Sequence, residues 1–144
     1  MSAVQVKVVE WTPEYSVHVP ALDREHKLLF GFINRLHEAM LVGKGVETLG
    51  TILAEMTQYA FYHFAHEEEL MAATHYPGLE AHVQQHDALR RRAAAIAERF
   101  ESGEATLTIE LTLFLSGWIK QHTTTTDRRL GEYLVASGNV PAPG

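Results

Sequence analysis

The chain has 144 residues, 46% of them hydrophobic, which suits one domain burying roughly two thirds of the surface its unfolded form exposes. Twelve Lys and Arg against 18 Asp and Glu leave a formal net charge of -6, so a phosphate-tracking surface would begin with repulsion and nucleic acid is disfavoured as a partner. The absence of cysteine removes disulfides, thiolate metal sites, iron–sulfur clusters and thiol catalysis together, and leaves only nitrogen and oxygen donors for any metal.

From the N-terminus, Met1 to Glu10 carries no apolar run behind a basic start, and no later segment has about 18 unbroken apolar residues. A soluble, cytoplasmic protein with no membrane partner is the expectation. Residues 1–21 read as an arm whose Trp11, Tyr15 and Val17 cover the body of the protein. Four stretches then repeat apolar or ligand residues every three or four positions, the mark of amphipathic helices. The first carries Leu22, His26, Leu29, Ile33, Leu36 and Met40, and the second Leu49, Ile52, Met56, Ala60, His63, Glu67 and Leu70. The third carries Leu79, His82, His86, Leu89, Ala93, Ile96 and Phe100, and the fourth Leu111, Leu115, Trp118 and His122. Breaks are expected at Gly43 to Gly45, at Tyr76-Pro77-Gly78 and near Ser102-Gly103. Short connections imply antiparallel neighbours. The fold expectation is all-α: an up-down-up-down antiparallel four-helix bundle over 22–135, with the N-terminal arm before it and a short C-terminal helix or tail over 136–144, forming one domain and a monomer.

The histidines stand where core residues belong. His63 and Glu67, and likewise His82 and His86, are four apart and so share a helix face, each pair able to reach one inward point. Heights agree as well as faces. His26 lies 18 residues before Lys44 and His63 lies 19 after it; His86 lies 17 before Gly103 and His122 lies 19 after it. At about 1.5 Å per residue each is ~26 to 28 Å from its turn, so antiparallel packing brings the four helices' donors to one level. Burying His26, His63, His82, His86, His122, Glu67 and Asp127 together without a cation would strand negative charge and lone pairs in low dielectric. Seven donors overfill one tetrahedral zinc but suit two roughly octahedral ions bridged by both carboxylates. Imidazole suits Fe, Zn, Cu and Ni, so donor type alone leaves the metal open.

Asp23-Arg24-Glu25-His26-Lys27, His63-Phe64 with Glu67-Glu68, His82 with His86, and Trp118-Ile119 ahead of His122 with Asp127 together make a recognisable pattern. From Trp11 to Leu134 the chain resembles the bacterial hemerythrins, non-haem di-iron oxygen-binding proteins. The resemblance implies two Fe ions joined by an oxo or hydroxo bridge, with His82, His86 and His122 on one and His26 and His63 on the other. Glu67 and Asp127 would bridge them. It implies dioxygen as the ligand, bound end-on at an open position of the two-histidine iron, and an oxygen carrier, store or delivery protein, not an enzyme. The alternatives are an oxygen or redox sensor and a di-iron enzyme consuming peroxide or nitric oxide.

Phe64, Trp118, Ile119 and Thr123 are the expected oxygen-pocket residues; Ile119 stands at the position of the family's apolar gate. Thr123 departs from the family, which often has isoleucine there, and so brings a hydroxyl near the pocket. His122 and Asp127 are five apart, about 140° round a regular helix, so both can face the metals only if the helix widens or breaks at Thr123 to Thr126. His18, His37, His66 and His75 are left outside the ligand set. His37 is eleven residues from His26, about 16 Å farther along the axis, and His66 reads as a surface or supporting imidazole. Glu68 and Glu69 are expected in solvent, and Arg90, Arg91 and Arg92 on the wetted side of the third helix.

Overall fold

The computed structural model describes residues 7–103 and 109–142. A 3-10 turn at Pro13–Tyr15 leads into α1 (Pro20–Leu41), α2 (Val46–Ala73), α3 (Leu79–Glu101) and α4 (Ile109–His122); a π-helical turn at Thr123–Asp127 joins α4 to α5 (Arg128–Ala136). α1 lies against α2 and α4, and α2 against α3. This is the expected helical bundle, with no strand among the described residues. No helix of the described residues is long and apolar enough to cross a membrane.

α1 begins two residues before the apolar repeat starts, because Pro20 at the first helical position has a φ already suited to the helix and needs no hydrogen-bonding N–H there. Asp23 in its first turn accepts from the Val17 N–H at 2.9 Å and the Ser16 hydroxyl at 2.6 Å, tying the arm to the helix. Farther up the arm, the Asn34 side chain accepts from the N–H groups of Val8 and Val9 and donates to the Val9 carbonyl at 2.7 Å. The arm therefore covers the bundle, as expected, with Val9 and Val17 fully buried. Its approach to α5 requires Gly131: a Cβ there would lie 2.0 Å from the Val17 carbonyl oxygen.

α1 ends at Gly43 in the left-handed conformation (φ 75°), with the Lys44 N–H returning to the Ala39 carbonyl. The expected break at Tyr76-Pro77-Gly78 is present, in the turn between α2 and α3. α2 ends the same way on a non-glycine, His75 (φ 56°), with the Tyr76 N–H bonded to the Met71 carbonyl, while Gly78 instead precedes the first turn of α3.

Two apolar cores lie on either side of a polar layer. Leu29, Phe30, Ile33, Leu36, Ile52, Leu53, Met56 and Ile119 form one. Val17, Val19, Leu22, Met71, Leu130 and Leu134 form the other at the opposite end. The histidines and carboxylates fill the interval between them, fully buried.

Candidate metal centre

All seven expected donors meet in that layer. α1 supplies His26, α2 supplies His63 and Glu67, α3 supplies His82 and His86, and α4 with its π-turn supplies His122 and Asp127. The π-turn is the expected widening. A turn closing over five residues rather than four returns Asp127 to the face of His122. The threonines make it tolerable: Thr124 and Thr125 donate to the carbonyls of Lys120 and Gln121 at 2.8 and 2.7 Å, and such back-bonds bend helices.

The donors form two overlapping groups, Glu67-His82-His86-His122-Asp127 and His26-His63-Glu67-Asp127, each with ligand atoms within 4.8 Å of one another. The carboxylates are split between them. Glu67 turns Oε2 to His26 (3.5 Å) and His63 (3.2 Å), and Oε1 to His82 (3.2 Å) and His86 (3.1 Å). Asp127 turns Oδ2 to His26 (3.1 Å), and Oδ1 to His82 and His122 (both 3.1 Å). Despite this crowding, Nε2 of His26, His86 and His122, Oε2 of Glu67 and both Asp127 oxygens make no hydrogen bond, although all are buried. Their lone pairs converge on common points instead of on each other, which is the arrangement a cation satisfies.

The far side of three imidazoles is anchored, leaving Nε2 toward the centre. His63 Nδ1 meets Glu25 Oε1 at 2.6 Å, and the other Glu25 oxygen meets His66 Nδ1 at 2.7 Å. His86 Nδ1 meets Glu68 at 2.8 Å, and Arg90 grips both Glu68 oxygens at 2.8 and 3.1 Å. His122 Nδ1 donates to Gln85 Oε1 at 2.9 Å, which also accepts from the Thr126 hydroxyl at 2.9 Å. Such partners fix the tautomer and raise ligand basicity.

Sequence reasoning missed Glu25, Gln85 and Arg90 in these roles, and Glu68 is a correction. Its side chain is 23% exposed and turned onto His86, not into solvent, and Arg90 leaves the expected wetted face to hold it. The bonds cross between helices, so no spacing within one helix signals them. His66 takes the supporting alternative, and His37 stays out of the centre, its Nδ1 bonded to Thr112 at 2.7 Å.

Charge follows the geometry. Burial opposes ionisation of Glu67 and Asp127, but the surrounding histidines hold both well below the usual carboxylate range. Burial likewise works against protonated imidazole, yet Glu67, Glu25 and Asp127 push His63 up to about 10, and Asp127 and Glu67 push His82 up to about 9. His26 is raised for the same reason.

Phe64 stacks on His86 (centroids 4.1 Å apart) and Trp118 on His122 (4.5 Å). Phe64, Trp118 and Ile119 line an apolar cavity of about 70 Å³ together with Leu29, Ile33, Met56 and Leu115. Thr123 is fully buried next to His122 but is not part of that lining.

The hemerythrin HHE cation-binding domain model matches residues 17–134. A bacteriohemerythrin of Methylococcus capsulatus is 31% identical over 130 residues, 90% of this chain and 98% of that protein. One of Stenotrophomonas maltophilia is 30% identical over 129 residues, 90% of this chain and 83% of that protein. The crystal structure of a wild-type hemerythrin superposes with a TM-score of 0.85 at 30% identity, covering 88% of this chain and 97% of that one. With a split-carboxylate donor layer inside the same bundle, this chain belongs to the hemerythrin family.

Proposed function

We propose that the chain binds dioxygen reversibly at a di-iron centre, as an oxygen carrier, store or delivery protein. The observation that carries this reading is the division of Glu67 and Asp127, each presenting one oxygen to a two-histidine group and the other to a three-histidine group. His82, His86 and His122 would hold one ion and His26 and His63 the other, with both carboxylates shared. Held by these residues, a pair of iron ions would supply the redox chemistry that reversible dioxygen binding requires.

The protein residues would restrain that chemistry. Five neutral imidazoles and two carboxylates leave the pair of ions with net positive charge, unlike the carboxylate-rich di-iron proteins that draw a Glu from each of two helices and a Glu-x-x-His motif from each of the others. Less donated charge disfavours the higher oxidation states that attack substrates. Phe64, Trp118 and Ile119 put an apolar wall and an apolar cavity beside the three-histidine group, limiting access of water and protons. Similar relatives bear the name bacteriohemerythrin, which agrees with this reading. One chain supplies the whole donor set, so a monomer suffices.

The test is to reduce the iron-loaded protein anaerobically, add oxygen, and then remove it under vacuum. A visible spectrum that appears and disappears over repeated cycles is expected. Irreversible bleaching with consumption of oxygen would overturn the carrier reading in favour of an enzyme.

A further inference from the structure

Ten buried side-chain polar atoms have no hydrogen-bond partner among the described residues. Eight belong to His26, Glu67, His82, His86, His122 and Asp127, and a ninth, the Trp11 indole nitrogen, lies in the arm. The tenth is the hydroxyl of Thr123. Thr123 is wholly buried, follows His122 directly, and opens the π-turn that ends on Asp127.

Its neighbours make the orphan informative. Thr124 and Thr125 donate to carbonyls four residues back, and Thr126 donates to Gln85. Thr123 makes no such bond to Ile119, although that back-bond is the habit of threonine in a helix. Its hydroxyl was removed from water, at a desolvation cost that no protein group offsets. A buried hydroxyl one residue after His122 and four before Asp127 finds its missing partner most simply in whatever non-protein ligand the centre takes up.

We propose that the Thr123 hydroxyl donates a hydrogen bond to the small exogenous ligand bound at the centre. It would thereby be a specificity-determining residue that favours ligands carrying a lone pair on the atom away from the metal: bound dioxygen, and small linear anions. The inference rests on the di-iron reading above. It gives this site a donor from the protein itself, where Phe64, Trp118 and Ile119 offer only apolar surface.

The experiment titrates sodium azide into the oxidised, iron-loaded protein and follows the visible absorption, for wild type, Thr123→Val and Thr123→Ser, with iron content and Tm measured on each sample. Valine keeps the shape and deletes the donor; serine keeps the donor. Loss of a hydrogen bond to an anion predicts that Thr123→Val weakens azide binding about tenfold or more, with iron content unchanged, while Thr123→Ser stays within about threefold of wild type. Equal azide affinity in wild type and valine variant would overturn the proposal and leave the di-iron reading intact. Equal weakening by serine and valine would also overturn it. Loss of iron from the valine variant would show a structural hydroxyl and overturn it as well. A wild-type protein that takes up no iron would sink the di-iron reading first and this inference with it.

Discussion

The two flanks of the donor layer bind with the same imidazole chemistry but are supported differently. On the two-histidine flank, His63 is backed by Glu25, which is 3% exposed and also bonded to the half-buried His66. On the three-histidine flank, His86 is backed by Glu68, whose charge Arg90 clamps through both oxygens, and His122 is backed by the neutral amide of Gln85. A carboxylate behind an imidazole makes it a stronger donor, and a cation on that carboxylate takes part of the effect away. The flank with fewer histidines thus has the less neutralised support. The lesson is that His63 and His86, one on each flank, are backed by carboxylates of different neutralisation, while His26 and His82 have no Nδ1 partner among the described residues.

Three experiments break or sharpen that contrast. Removing a donor outright has the largest expected effect: His82→Ala should reduce iron from about two ions per chain to about one or fewer, because supporting residues cannot replace a missing ligand. Metal analysis of purified protein that still finds both ions would break the assignment of His82 to the three-histidine flank.

Replacing the supporting carboxylates comes next. Loss of such a partner typically costs about 10- to 100-fold in metal affinity, and the flank difference places Glu25→Gln toward the upper end and Glu68→Gln toward the lower. Competition with a chelator measures both. If the two variants lose iron equally, the Arg90 clamp has no bearing on His86.

The smallest effect is a pH dependence in the metal-free protein. His63 and His82 are raised from the ordinary 6.5 to about 10 and about 9, so their contribution to stability is complete below about pH 6.5 and disappears as pH rises through those values. Glu67 and Asp127 are lowered, so their contribution is present above the ordinary carboxylate range and disappears in acid. Thermal melts of metal-free protein should therefore show a maximum in mildly acidic solution and a fall toward pH 9 to 10. Iron binding requires neutral imidazoles and should release protons and flatten the alkaline fall. A metal-free protein equally stable at pH 6 and pH 9 would mean that the ion pairs at the centre do not hold in solution.

Much of this architecture was legible along the chain. Helical spacing placed His63 with Glu67 and His82 with His86, and the count of residues to each turn put all four helices' donors at one height. The five-residue gap from His122 to Asp127 demanded a widened helix, and the π-turn at Thr123–Asp127 supplies it. The start of α1 at Pro20 and the left-handed His75 were less legible, because helix ends depend on a few local bonds that several sequences can make.

What the sequence by itself determined is the donor set and its common level, since both follow from the fixed rise and turn of a helix. Which partner stands behind each imidazole was decided only when four helices packed: Glu25 reaches from α1 to His63 on α2, Glu68 from α2 to His86 on α3, and Gln85 from α3 to His122 on α4. The same is true of Thr123, whose hydroxyl has no partner while those of Thr124, Thr125 and Thr126 each have one. Periodicity within one helix says which face turns inward, but the identity of what it meets there depends on the rotation and offset of another helix, and a linear pattern carries no record of either.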